Sequence, residues 1–134
     1  MLVYMDLCCF NRPFDAQSND RIVLETEAKL RIQERIVAGT IALAWSYMLD
    51  YENAANPDRE VMASIASWKK KASAVCLVER PSLLDEARSL CLMGLDAKDA
   101  LHVACATDTQ SDYFITTDQG VLKKRISFFS CLAN

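Results

Sequence analysis

The apolar positions of this chain recur at two spacings, and the spacing switches repeatedly along it. Leu2-Val3-Tyr4-Met5 is a short apolar run halted by Asp6, which predicts a first strand. Asn11-Arg12-Pro13-Phe14-Asp15 has loop chemistry. From about Asn19 to Ala38, Leu24, Ala28, Ile32 and Ile36 fall four apart, with Val23, Leu30 and Val37 beside them. That spacing predicts a helix that buries this broad face. Glu25–Lys29 and Glu27–Arg31 add i,i+4 pairs with the acid first, and Gly39 supplies a stop.

The β-branched, apolar run Thr40 to Trp45 predicts a second strand. Ser46 is placed to cap a helix from Tyr47 to Ala54. Asn56-Pro57 reads as the cap and first residue of another helix, with Val61, Ile65, Trp68 and Ala72 on its buried face. Lys69-Lys70-Lys71 then sets positive charge at that helix's negative end. Val75 to Val78 stays open between strand and loop. Pro81 opens a helix to about Met93, ended by Gly94, and Asp96 caps a further helix through Ala106. Tyr113 to Thr116 reads as a strand, Gln119 to Lys124 as a short helix and Ile126 to Phe129 as a last strand. Strands alternating with helices predict an α/β layer fold with a largely parallel central sheet.

Composition adds bounds. The 134 residues, 51% of them hydrophobic, suit a single domain with a proper core. No apolar run approaches the ~20 residues of a membrane span, and the residues before Asp6 carry no basic leader, so a cytoplasmic protein without membrane contact is expected. The six cysteines form no C-x-x-C pair and His102 is the sole histidine, which argues against a zinc cage. Cysteines among apolar neighbours, as in Val103-Ala104-Cys105-Ala106, read as reduced core residues. The net charge of −3 does not by itself favour a nucleic-acid partner.

Ligands of parallel sheets gather beyond the carboxyl ends of the strands. Asp6 ends the first predicted strand and Asp118 follows the Tyr113 strand. Asp99 falls in the first turn of its helix, and Glu52 on the helix after the second strand. Four carboxylates brought together repel one another, and a divalent cation removes that cost. Oxygen-only donors suit Mg²⁺ or Mn²⁺. Each acid also has a structural reading. Asp96 and Asp99 form a capping pair, Asp118 caps the next helix, Asp6 closes a turn and Glu52 is solvated. The pattern leaves both readings open. His102, one turn after Asp99, reads as a satisfied helix-packing histidine, with a bond to a nearby acid as the alternative. One histidine closes the two-histidine route to RNA cleavage. No G-x-x-x-x-G-K-[ST] is present for a P-loop, and Asp6-Leu7-Cys8 lacks the D-x-D pair of a phosphatase.

Four stretches, in this order and spacing, carry a family resemblance: "YMDLCCFNRPFD", "AWSYMLDYENAANP", "LDAKDALHVACA" and "DYFITTDQGVLKK". Over nearly its whole length the chain resembles the PIN-domain family of VapC-like ribonucleases. The resemblance implies a single PIN-like domain over 1–134, a three-layer α/β sandwich with a mostly parallel central sheet and helices on both faces. It implies that Asp6, Glu52, Asp99 and Asp118 are an acidic quartet that is both metal-binding and catalytic, with Asp118 still capping its helix. Thr116, Ser46 and Asn11 would support them. It further implies Mg²⁺ or Mn²⁺ as cofactor, hydrolysis of RNA phosphodiester bonds, and the toxin role of a toxin–antitoxin pair with a cognate antitoxin protein. A non-cleaving RNA- or antitoxin-binding module is the alternative. Two bound divalent ions would bring the formal charge to −3 + 4 = +1. Lys123-Lys124-Arg125, Arg12 and Arg21 are then expected as phosphate contacts, and Lys69 to Lys71 as a solvated helix end. The apolar faces of the helices at 20–38 and 58–72 suit a homodimer or antitoxin surface as well as core packing. Family chains continue past the last strand, whereas this one closes on "ISFFSCLAN". A short or truncated strand over 126–134, with an open sheet edge, is the expectation.

Overall fold

The computed structural model of the chain describes residues 1–123. The expected strand at Ile126–Phe129, and Lys124, Arg125 and Cys131, lie outside the described residues. Four strands form one sheet: β1 (Leu2–Met5), β2 (Ala42–Ser46), β3 (Ala72–Cys76) and β4 (Tyr113–Ile115). Their order is β3-β2-β1-β4 and every pair is parallel. Among the described residues seven helices flank the sheet: α1 (Leu7–Asn11), α2 (Asp20–Val37), α3 (Tyr47–Ala54), α4 (Arg59–Ala66), α5 (Pro81–Leu92), α6 (Ala97–Asp108) and α7 (Gln119–Leu122). This is an α/β sandwich with a parallel central sheet and helices on both faces, as the alternation of elements predicted. None of the described helices is long and apolar enough to cross a membrane.

Side chains alternate across a strand, so the central β1 serves both faces. Tyr4 points to one layer, where it meets His102 of α6 and stacks on Phe114 of β4. On the other face Trp45 of β2 packs edge-on against Phe10 of α1, with ring centroids 5.3 Å apart. The chain winds outward from β1 to β2 and β3, then returns through α5 and α6 to place β4 on the free side of β1. The strand order therefore reverses at β1, the place where ligands of open α/β sheets gather beyond the carboxyl ends of the strands.

Most helix boundaries follow the local chemistry. Asn19 caps α2, Ser46 caps α3, and Asp96 caps α6. Gly39 and Gly94 end α2 and α5 at φ +81° and +102°, where a side chain would be strained. Three expected boundaries need correction. The Asn11–Asp15 stretch ends α1 and continues as a 3₁₀ turn, Arg12–Phe14, rather than an open loop. The cap of α4 is Asp58, whose Oδ1 accepts from the Glu60 and Val61 amides, while Asn56 Oδ1 accepts the Asp58 amide in the preceding turn. The lysine run is a 3₁₀ turn after α4, and Ala72 already belongs to β3, which settles the ambiguous region as an edge strand that starts earlier.

The largest correction concerns α2. It turns Thr26, Lys29, Gln33 and Ile36 inward, while Leu24 and Val37 are 64% and 63% exposed. Hydrogen bonds and aromatic rings, rather than apolar area, set this orientation. Arg12 reaches Glu25 at 2.9 Å, and Thr26 Oγ1 donates to the Arg12 carbonyl. The Lys29 ammonium lies 5.5 Å from the Phe10 ring centroid and 5.9 Å from that of Trp68.

Candidate functional site

The register between the strands positions the site. Val3 pairs with Leu43 and with Tyr113, so continuing along all three strands brings Asp6, Ser46 and Thr116 to one level. Asp6 is the first residue beyond β1. Its amide donates to the Ile115 carbonyl at 3.1 Å, which ties it to the end of β4. Its carboxylate is 5% exposed. Oδ1 accepts from the Cys9 amide, capping α1, and from the Cys8 thiol at 2.6 Å; Oδ2 accepts from the Thr116 hydroxyl. Burial first, and then the adjoining Cys8, push the Asp6 carboxyl up to about 8.

Thr116 joins two of the predicted acids. While its hydroxyl donates to Asp6, its oxygen accepts the Asp118 amide at 3.0 Å. Asp118 Oδ1 in turn accepts the amides of Gly120 and Val121 at 2.7 and 3.3 Å and so caps α7. The capping role expected of Asp118 is observed. It occupies one carboxylate oxygen, and the second takes no part in the cap.

Asp99 sits in the first turn of α6, where its amide is held by Asp96 Oδ1 at 2.9 Å. Its carboxyl is pushed up to about 7, first by burial and then by the negative charges of Asp96, Asp118 and Asp6. Asp6, Asp99 and Asp118 therefore share one field although they come from β1, α6 and the β4–α7 loop. They do not form a closed cage. Among the described residues the one trio of acidic, cysteine or histidine donor atoms lying within 4.8 Å of one another is Asp6, Cys8 and Cys9.

Glu52 is placed differently from the other three. Its Oε1 is 2.9 Å from His102 Nε2. His102 Nδ1 lies 2.6 Å from the Tyr4 hydroxyl, which lies 2.6 Å from Ser46 Oγ, and Ser46 accepts the Leu49 amide. For a neutral imidazole the chain of bonds fixes the tautomer. A carboxylate only accepts, so Nε2 carries the proton, Nδ1 accepts from Tyr4, and Tyr4 accepts from Ser46. Burial raises the Tyr4 hydroxyl well above its ordinary pKa, which keeps it a donor. His102 is the satisfied, helix-packing histidine expected, 2% exposed with both ring nitrogens bonded, and the alternative bond to an acid is observed as well. Ser46 is wholly buried and acts through Tyr4 and His102 rather than at the surface. Asn11 and Glu52 line one cleft of about 440 Å³ with Asn56, Asp58 and Val61; Asn11 Oδ1 accepts from Asn56 at 3.4 Å.

Sequence reasoning missed Tyr4, Thr117 and the role of Cys8. Tyr4 had a signal, since a phenol in a central strand requires a buried partner. Thr117 Oγ1 donates to Cys8 Sγ at 3.0 Å and accepts from Arg12 Nη2 at 3.0 Å. Nothing in the pattern announced that link, which joins residues far apart in sequence. Arg12 is also paired with Glu25 and Asp15, and Arg21 with Glu25. These two arginines, expected to meet phosphates, are already neutralised by carboxylates. Lys69, in the 3₁₀ turn after α4, pairs with Asp50 at 2.9 Å as an exposed surface ion pair.

No family model matches the chain, and no curated protein matches it. Among solved structures, FitAcB from Neisseria gonorrhoeae is similar over 91% of this chain and 91% of its own, with a TM-score of 0.55 and 14% sequence identity. At that identity the likeness is one of fold, an α/β sandwich with the parallel central sheet that the alternating strands and helices predicted and that the family resemblance implied.

Proposed function

We propose that the chain is a metal-dependent endoribonuclease of the VapC-like kind, the toxin of a toxin–antitoxin pair. The observation that supports this most is the gathering of Asp6, Asp99 and Asp118 at the carboxyl edge of the sheet, where the strand order reverses. The Asp6 and Asp99 carboxyls are raised first by burial and then by neighbouring acidic groups, and a hard divalent cation is a natural counter-charge for such a cluster. The oxygen donors fit Mg²⁺ or Mn²⁺. Such an ion, when bound, supplies Lewis acidity toward a phosphodiester.

The chain's own residues divide the remaining work. Asp6, Asp99 and Asp118 hold the cation. Thr116 fixes Asp6 and the Asp118 backbone together, and the α7 cap fixes the Asp118 carboxylate. Glu52, oriented by His102, stands at the cleft and positions water or assists a second ion. The cleft beside Asn11 and Glu52 admits the RNA backbone. Leu30 and Val37 of α2, exposed one heptad apart, offer an apolar stripe for the antitoxin or a second copy of the chain. The purified chain should cut RNA when given Mn²⁺ or Mg²⁺. Chelation should stop it, as should Asp99→Asn. Cutting that survives both treatments contradicts the proposal.

A further inference from the structure

The Asp6–Cys8–Cys9 corner is the tightest group of metal-ligating atoms among the described residues, and the nuclease reading uses only its carboxylate. The three donor atoms lie within 4.8 Å of one another. Tetrahedral ligands at about 2.0–2.3 Å from a zinc ion stand about 3.3–3.8 Å apart, so small rotamer shifts would close the set around one ion. Two thiols and a carboxylate are donors for a soft or borderline cation and poor ones for Mg²⁺.

We propose that Asp6, Cys8 and Cys9 form a binding site for one thiophilic divalent cation of the Zn²⁺ class. The surroundings are those of oriented ligands. Thr117 donates to Cys8 Sγ, and Arg12 holds Thr117 in that pose from the anchor it makes with Glu25 and Asp15. Thr116 orients Asp6, and the Cys9 thiol leans on the Ile115 carbonyl at 3.4 Å. Hydrogen-bonded partners of this kind fix ligand direction and sharpen affinity. Cys8 is half-buried, which leaves an approach for the ion, while Cys9 is buried. The fourth position falls to water or a threonine hydroxyl. The absence of a C-x-x-C motif thus conceals a donor set assembled from adjacent cysteines and the acid two residues before them. Because Asp6 serves both sets, a thiophilic ion and the hard cation of the nuclease centre exclude each other. That consequence rests on the function proposed above; the site itself does not.

Titration of the reduced full chain with Co²⁺, followed by displacement with Zn²⁺, tests the site through thiolate-to-cobalt absorption. The expected result is a band that saturates at one ion per chain. Cys8→Ser and Cys9→Ser should each weaken binding by more than about 10-fold, and Thr117→Val by about 10-fold with the band retained. Cys91→Ser and Cys131→Ser should change nothing, and circular dichroism should show the Cys8 variant folded. No thiolate band, or a band that survives Cys8→Ser or depends only on Cys91 or Cys131, overturns the site. A chain that binds cobalt through Cys8 yet, freed of cobalt and given Mn²⁺, cuts no RNA overturns the nuclease reading alone. One that cuts RNA without a thiolate band overturns this site alone.

Discussion

His102 Nε2 lies 2.9 Å from Glu52 Oε1, and this contact closes a buried chain of bonds running from Ser46 through Tyr4 to the edge of the cleft. Removing the imidazole strands both neighbours. His102→Ala should cost about 2–4 kcal/mol, from a cavity and two lost partners. Tyr4→Phe, which deletes only the hydroxyl, should cost about 1–3 kcal/mol. Urea denaturation measures both. RNA cleavage should also fall in His102→Ala, since Glu52 loses its orienting bond.

Thr116 is the clamp between Asp6 and the Asp118 backbone. Thr116→Val keeps the shape and removes both bonds. Mn²⁺ affinity should drop by about 10- to 100-fold, as for other residues that orient ligands, and Thr116→Ser should restore most of it. Isothermal titration of the two variants checks this, and equal affinities would show that the clamp is idle.

A Cβ built on Gly120 would stand 3.0 Å from Asp118 Oδ1. The crowded atom ends a flexible side chain, so the carboxylate moves by a few tenths of an ångström while the fold stays. Gly120→Ala should therefore change stability by less than about 1 kcal/mol and lower Mn²⁺ affinity by about 10-fold. A paired thermal melt and metal titration separate the two effects.

Burial lowers the Lys29 ammonium to about 8 from its ordinary 10.5. The folded chain then binds fewer protons than the unfolded chain between pH 8 and 10.5, so this residue makes stability rise with pH across that window. Below pH 8 the buried charge is a standing cost of order 3 kcal/mol, offset in part by the Phe10 and Trp68 rings. Lys29→Met should be the more stable protein at pH 7, and the gap should close toward pH 10.5. Denaturant midpoints of the two proteins at several pH values read this directly; a constant gap would mean that Lys29 is not desolvated.

Strand and helix order was legible because apolar spacing and caps are local: Leu2–Met5, Ser46 before α3 and Gly94 after α5 depend on neighbours in sequence. The inward face of α2 was not legible. Its periodicity pointed to Leu24 and Ala28, but Arg12 and the rings of Phe10 and Trp68 drew Thr26 and Lys29 inward through contacts set elsewhere in the chain. The same limit applies at the site. The positions of Asp6, Asp99 and Asp118 at strand and helix ends were readable, because their capping roles are local. The Glu52–His102–Tyr4 chain and the Thr117–Cys8 link were not, since both require the tertiary register of β1 against β4 and α6.

Mn²⁺ binding to the full chain, with and without Asp118→Ala, tests the central claim most directly. The native chain should bind the ion, and Asp118→Ala and Asp99→Asn should each weaken binding by at least about 10-fold while both variants stay folded. Native affinity retained in both variants, or no binding by the native chain, would contradict it.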